Sequence, residues 1–115
     1  MALEIWHNPR CSKSRQTLAL VREQGLEPTV IEYLKTPPTV ERLHQVLAML
    51  GLTPRQLMRR KETDYKEQGI DDDSLMDDQL IAAMIEFPKL IERPVVINGD
   101  QAAIGRPPEQ VLEIL

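Results

Sequence analysis

Hydrophobic and polar positions alternate at the start of the chain and then change period, and each change marks an element. Leu3-Glu4-Ile5-Trp6-His7 alternates with a period of two and predicts a short strand, stopped by Asn8-Pro9. From Ser12 the period becomes helical, with Thr17, Leu18 and Val21 at spacings of three and four. Gly25 ends this helix, and Glu27-Pro28 blocks its continuation. Thr29-Val30-Ile31-Glu32-Tyr33 is β-branched and aromatic and predicts a second strand. Strand, helix, strand is a βαβ unit, for which a right-handed crossover is expected.

The next stretch is helical. Thr36-Pro37-Pro38 makes a turn, and Thr39 is placed to cap a helix whose stripe is Val40, Leu43, Leu47 and Leu50, closed by Gly51. Thr53-Pro54 starts another helix, expected to run to about Lys61, with Pro at its first position. Asp71-Asp72-Asp73-Ser74 reads as a charged loop. Asp77-Asp78 then opens a helix with Leu80, Ile81, Met84, Ile85 and Phe87 on its apolar face, ended by Pro88. Val95-Val96-Ile97 predicts a strand, Asn98-Gly99 a two-residue hairpin turn, and Ala102-Ala103-Ile104 the partner strand. Pro108 opens a last helix carrying Val111, Leu112 and Leu115 on one face. The order is β-α-β, a helical block, then β-β-α: an α/β, thioredoxin-like pattern with a mixed central sheet. A single domain over 1–115 with a helical insertion at about 39–88 is expected.

Composition narrows the class. With 42% apolar and 28% charged residues in 115, the chain suits an ordinary globular domain, and 3% aromatics make the core aliphatic. The 14 basic residues against 18 acidic ones give a net charge of −4, which disfavours general nucleic-acid binding while leaving room for a local basic pocket. No basic-then-apolar leader opens the sequence and no long apolar run follows, so a cytoplasmic protein without a membrane span is expected.

One cysteine, Cys11, excludes an intrachain disulfide and a cysteine-based zinc site, and the histidines His7 and His44 lack metal-ligand spacing. Cys11 falls between a strand and a helix, where unsatisfied backbone N–H groups and the helix dipole favour an anion. Arg10, Lys13 and Arg15 add positive charge, and Ser12 and Ser14 can donate to a sulfur or a bound oxyanion. A lone cysteine is often simply buried. One flanked by Arg10, Ser12 and Lys13 reads instead as a nucleophilic thiolate beside an oxyanion cradle. His7 is either an imidazolium raising the thiolate fraction or a hydrogen-bonded residue ending the first strand. His44 reads as structural or solvated. Cys11-Ser12-Lys13-Ser14 is a C-x-x-S, so any redox cycle through Cys11 needs an outside thiol. Arg93 and Arg106 both immediately precede proline, Pro94 and Pro107, which restricts their backbone. Arg55 and Arg60 read as solubilising residues, although on pattern alone Arg60 is not distinguished from its neighbour Arg59.

Taken together, His-Asn-Pro-x-Cys-x-x-Ser-Arg at 7–15, Tyr33-Leu34 with Pro37-Pro38, Leu57-Met58-Arg59 with Arg60-Lys61-Glu62, Asp78-Gln79-Leu80-Ile81, Leu90-Ile91-Glu92-Arg93-Pro94 and Gly105-Arg106-Pro107 resemble the glutaredoxin-coupled, ArsC-type arsenate reductases from about Ile5 to Leu115. The resemblance implies a thioredoxin-like fold with a helical insertion and reduction of arsenate to arsenite. It makes Cys11 the nucleophile, with His7 lowering its pKa and Ser14 beside it. It assigns Arg59, Arg93 and Arg106 to the oxyanion, with Asn8, Ser12, Lys13, Arg15 and Pro94 in support. Glutathione as cosubstrate and glutaredoxin as partner are implied, with no metal and no tightly bound cofactor. Planar guanidinium forks suit a tetrahedral oxyanion and would offset its repulsion of a thiolate. Two other classes share parts of this pattern. Spx-type transcription regulators typically carry C-x-x-C, and a glutathione-dependent thiol reductase needs a peptide groove in place of an arginine-lined pocket.

Overall fold

The computed structural model describes residues 3–115; Met1 and Ala2, which begin the segment read as lacking a leader, lie outside the described residues. The chain divides into two compact units, one made of the stretch up to Thr36 with Arg93–Leu115, the other of Pro37–Glu92.

The first unit holds a four-stranded mixed sheet in the order β2-β1-β3-β4, with β1 Leu3–Trp6, β2 Thr29–Ile31, β3 Val95–Asn98 and β4 Gln101–Ile104. The first two strands run parallel, with Ile5 opposite Val30, as a βαβ unit requires. The remaining pairs are antiparallel, with Ile5 opposite Val96 and Val96 opposite Ala103. Val95, Val96 and Ile97 are all buried, the pattern of a strand covered on both faces. Helix α1, Ser12–Glu23, buries Ser14, Thr17, Leu18 and Val21. Its Leu18 and Val21 meet Ile5, Val96 and Val111 in one core cluster.

In this unit three details depart from the sequence reading. The second strand stops at Ile31, because the backbone N–H groups of Lys35 and Thr36 both donate to the Glu32 carbonyl and turn the chain, with Tyr33 buried inside the turn. The hairpin turn is Gly99-Asp100 rather than Asn98-Gly99, since Asn98 pairs with Gln101. Gly99 has φ +64°, and among the described residues no non-glycine has positive φ, which is the φ pattern of a II′ turn. The last helix is 3₁₀ over Pro108–Ile114, opened by an i→i+3 bond from Gln110 N–H to the Pro107 carbonyl. With three residues per turn, Val111 and Ile114 share a face while Leu112 points elsewhere and is exposed.

In the second unit, α2 (Val40–Leu50) is capped by Thr39, whose Oγ1 accepts from the Arg42 N–H at 3.1 Å. Its buried face is Leu43, Val46 and Leu47; Val40, placed in the stripe by its spacing, is exposed. Thr53 and Gln56 form a reciprocal capping box at α3, Pro54–Leu57. That helix ends four residues before the expected Lys61. Met58 forms a β-bridge with Ile91, Arg59 N–H donates to the Leu90 carbonyl at 2.7 Å, and Glu92 N–H donates to the Leu57 carbonyl at 2.8 Å. A short α4, Thr63–Glu67, follows without having been expected. Helix α5, Asp77–Glu86, buries Leu80, Ile81, Ala83 and Met84, packs on α2 and α3, and passes into a 3₁₀ turn at Pro88–Leu90.

Arg55 is not the solubilising residue its sequence context suggested. Its guanidinium donates to Tyr65 Oη at 2.6 Å and to the carbonyls of Ile70 at 2.8 Å and Asp72 at 2.9 Å, tying α3 to the loop after α4. Among the described residues no helix is long and apolar enough to cross a membrane.

Candidate active site around Cys11

Asn8-Pro9-Arg10-Cys11 forms a tight turn. The Asn8 carbonyl accepts from Cys11 N–H and Asn8 Oδ1 accepts from Arg10 N–H, both at 3.0 Å, with Pro9 presetting the second position. Arg15 N–H donates to the Cys11 carbonyl at 3.0 Å, so Cys11 is the N-cap of α1, with extended backbone angles of −93° and 122°. Its side chain, 9% exposed, therefore stands at the open end of a helix. Ser12 and Lys13 are exposed, and the Arg15 guanidinium donates to the Pro9 carbonyl at 2.9 Å, bracing the turn.

Two arginines from the opposite end of the chain complete the surroundings of the sulfur. Arg106 Nη2 lies 3.7 Å from Cys11 Sγ, while its Nε donates to the Arg93 carbonyl at 2.8 Å. Burial pushes the Cys11 thiol up. The Ser14 N–H, the Arg93 guanidinium and the Lys13 N–H together outweigh that and hold it below the ordinary thiol range. The peptide bonds from Arg93 to Pro94 and from Arg106 to Pro107 are cis.

His7 is buried, with its backbone N–H donating to the Ile31 carbonyl at 2.8 Å. Its Nδ1 lies 2.6 Å from Ser14 Oγ, which also accepts the Asn8 N–H at 3.0 Å. Desolvation lowers the His7 pKa against the opposing pull of Glu32, which favours the neutral imidazole at neutral pH. A neutral ring protonated on Nε2 lets the Ser14 hydroxyl donate to Nδ1. His7 is thus hydrogen-bonded through both its backbone and its ring where β1 ends. A cavity of about 360 Å³ is lined by His7, Asn8, Pro9, Arg10, Glu32, Leu34 and Lys35.

The first unit thus gathers His7, Asn8, Cys11, Lys13, Ser14, Arg93, Pro94 and Arg106. Arg59 belongs to the second unit. There its Nη1 lies 2.9 Å from Glu92 and its Nε 3.2 Å from Glu62, while Arg60 is exposed. Burial works against the Arg59 charge, but Glu92 and Glu62 raise its pKa overall. Two features escaped the sequence reading: this carboxylate pair around Arg59, and the contact of Thr17 with Gly105. A lone glycine after an apolar strand is a recognised sign of close backbone approach and could have flagged the second.

The ArsC family profile matches residues 6–114, nearly the whole chain. The chain belongs to the ArsC family. It is 48% identical over 116 residues to the arsenate reductase of Haemophilus influenzae, the match covering 100% of each protein. It is 54% identical over 114 residues to the uncharacterized protein YfgD of Escherichia coli K12, covering 98% of this chain and 96% of that one. The solved arsenate reductase from Vibrio cholerae shares 58% identity with a TM-score of 0.96, over 100% of this chain and 98% of the other. The thioredoxin-like arrangement expected from the element order is therefore the fold of the ArsC family.

Proposed function

We propose that this ArsC-family chain reduces arsenate to arsenite through the Cys11 thiolate, with glutathione and glutaredoxin supplying the electrons. The observation that carries the reading is a single depressed-pKa thiol at an open helix N-terminus with Arg93 and Arg106 around its sulfur. Arginines so placed bind a dianionic oxyanion and offset its repulsion of the thiolate.

The Cys11 thiolate attacks arsenic and a water leaves, giving a cysteinyl-arsenate adduct. A glutathione thiol adds to that arsenic with loss of a second water. A glutaredoxin thiol then takes the glutathionyl sulfur as a mixed disulfide. The electron pair of the broken As–S bond stays on arsenic and reduces As(V) to As(III), which hydrolyses from Cys11 as arsenite. With Cys11 as the chain's only cysteine, the disulfide must form on outside thiols. In this scheme His7 and Ser14 position the loop, Asn8, Ser12, Lys13 and Arg15 support it, and Pro94 seats Arg93. The resemblance gives Arg59 an oxyanion role as well. The scheme requires no metal or bound cofactor, and it operates in the cytoplasm, where thiols are kept reduced.

A coupled assay tests the reading, with arsenate, glutathione, glutathione reductase, glutaredoxin and NADPH, and arsenite measured directly. NADPH consumption matched by arsenite, and lost without glutaredoxin, is expected. No arsenite under these conditions, or equal turnover with thioredoxin and its reductase, contradicts it.

A further inference from the structure

Gly105 occupies a place where a side chain does not fit. A Cβ there would press on Thr17 Oγ1 and lie 2.8 Å from Pro94 Cγ and 2.9 Å from Thr17 Cγ2. Three segments meet at this point. Thr17 stands on α1, whose first residues follow Cys11, and its hydroxyl donates to the Lys13 carbonyl at 2.8 Å while lying 3.5 Å from the Gly105 carbonyl. Pro94 follows Arg93, and its carbonyl accepts the Gly105 N–H at 2.9 Å. Gly105 precedes Arg106, whose guanidinium bridges the Arg93 carbonyl and Cys11 Sγ. Thr17 is fully buried and Gly105 is buried with no room for a Cβ, so the size of these two residues limits the approach of the two arginine loops to α1.

We propose that Thr17 and Gly105 are positioning residues. Their contact fixes how closely Arg93 and Arg106 stand to the Cys11 sulfur, and neither residue touches the reacting atoms. The inference rests on Cys11 being the reacting thiolate. A methyl group at residue 105 forces the arginine loops away from α1 and weakens the positive field at the sulfur, without removing any charge.

The test is the pH dependence of Cys11 alkylation by iodoacetamide, with far-UV circular dichroism and the thermal midpoint recorded for each variant. Gly105→Ala should move the alkylation midpoint upward by about half a pH unit or more, since a nearby opposite charge typically depresses a pKa by about one to three units. Removing the bulk opposite it, as Thr17→Ala/Gly105→Ala, should recover part of that shift. In an Arg93→Ala/Arg106→Ala background Gly105→Ala should add nothing, because the groups it displaces are gone; a merely structural lesion would still act there. If Gly105→Ala does not fold, Thr17→Ser decides: it keeps the hydroxyl, removes the methyl that spaces the arginine loops from α1, and should lower the midpoint by a smaller amount. A folded Gly105→Ala with an unchanged profile, a full additional shift in the arginine-free background, or a Thr17→Ser profile equal to wild type overturns the proposal. Alkylation needs no arsenate, so an inactive wild type refutes the reductase reading while these profiles still decide this one.

Discussion

Each of the two units holds an arginine site, and the groups beside the guanidinium differ between them. Around Arg59 two carboxylates, Glu62 and Glu92, lie within 3.2 Å of the guanidinium, so the charge is matched by residues of its own unit. Around Cys11 the guanidinium of Arg106 rests on a backbone carbonyl and on the sulfur itself, and that of Arg93 draws the thiol down. The two carboxylates hold the Arg59 guanidinium in place within its unit. A guanidinium beside the sulfur adds positive charge where an anion would stand. The sequence separates them only in part: Arg106 stands between Gly105 and Pro107, whereas Arg59 is followed by a second arginine, Arg60.

The sharpest way to break the comparison is at the sulfur. Cys11→Ser should abolish arsenate-dependent NADPH oxidation while leaving the far-UV spectrum and thermal midpoint near wild type. Residual turnover would place the nucleophile elsewhere. Next in size, Arg106→Ala should lower kcat/KM for arsenate by about 100-fold or more, the usual effect of losing one charge-stabilising donor, with stability changed by about 1 kcal/mol or less. Arg59→Ala should behave differently, leaving Glu62 and Glu92 without their shared partner and costing about 1–3 kcal/mol in urea unfolding. If Arg106→Ala proves the more destabilising of the two, the contrast between the sites is wrong.

Anion binding sharpens the same contrast more gently. Sulfate or phosphate should raise the thermal midpoint of the wild type, because a ligand that binds only the native state stabilises it, and raise it less in Arg93→Ala and Arg106→Ala. Equal rises in all three would assign the effect to general solvation. The smallest effect concerns His7. Its native pKa is lowered by burial, so below its unfolded value of about 6.5 the unfolded chain binds more protons than the folded one. The stability it contributes is complete above that value and is lost as pH falls through it and the lower native pKa. The thermal midpoint should therefore fall between pH 7 and pH 5 more steeply in wild type than in His7→Gln.

Local features of the chain were legible because local chemistry writes them. The alternation at Leu3–Trp6, the β-branched run at Val95–Ile97, the Thr39 cap and the Asn8-Pro9 turn each state their conformation within a few residues. The departures came where a distant partner decides. Met58 leaves the helical path because Ile91 offers a bridge, and no periodicity around Met58 announces that. Leu112 turns outward because consecutive prolines and an i→i+3 bond start a 3₁₀ helix in place of an α-helix. At the site the same division holds. Cys11, Ser14 and the helix end could be read from one segment, whereas Arg106 lies 95 residues from Cys11 and only the family resemblance joined them beforehand. Thr17 and Gly105, 88 residues apart, meet through packing; the glycine after β4 hints at a close approach, but nothing near it names Thr17 as the partner.

The central claim is that the end of α1 and the arginines hold the Cys11 thiol below its ordinary pKa by favouring the thiolate. Its most direct test is the rate of iodoacetamide alkylation of the wild-type protein as a function of pH, read by mass spectrometry on Cys11. The account predicts a midpoint clearly below the free thiol value of about 8.5, moving up in Arg93→Ala. A midpoint at or above that value in the wild type would contradict it.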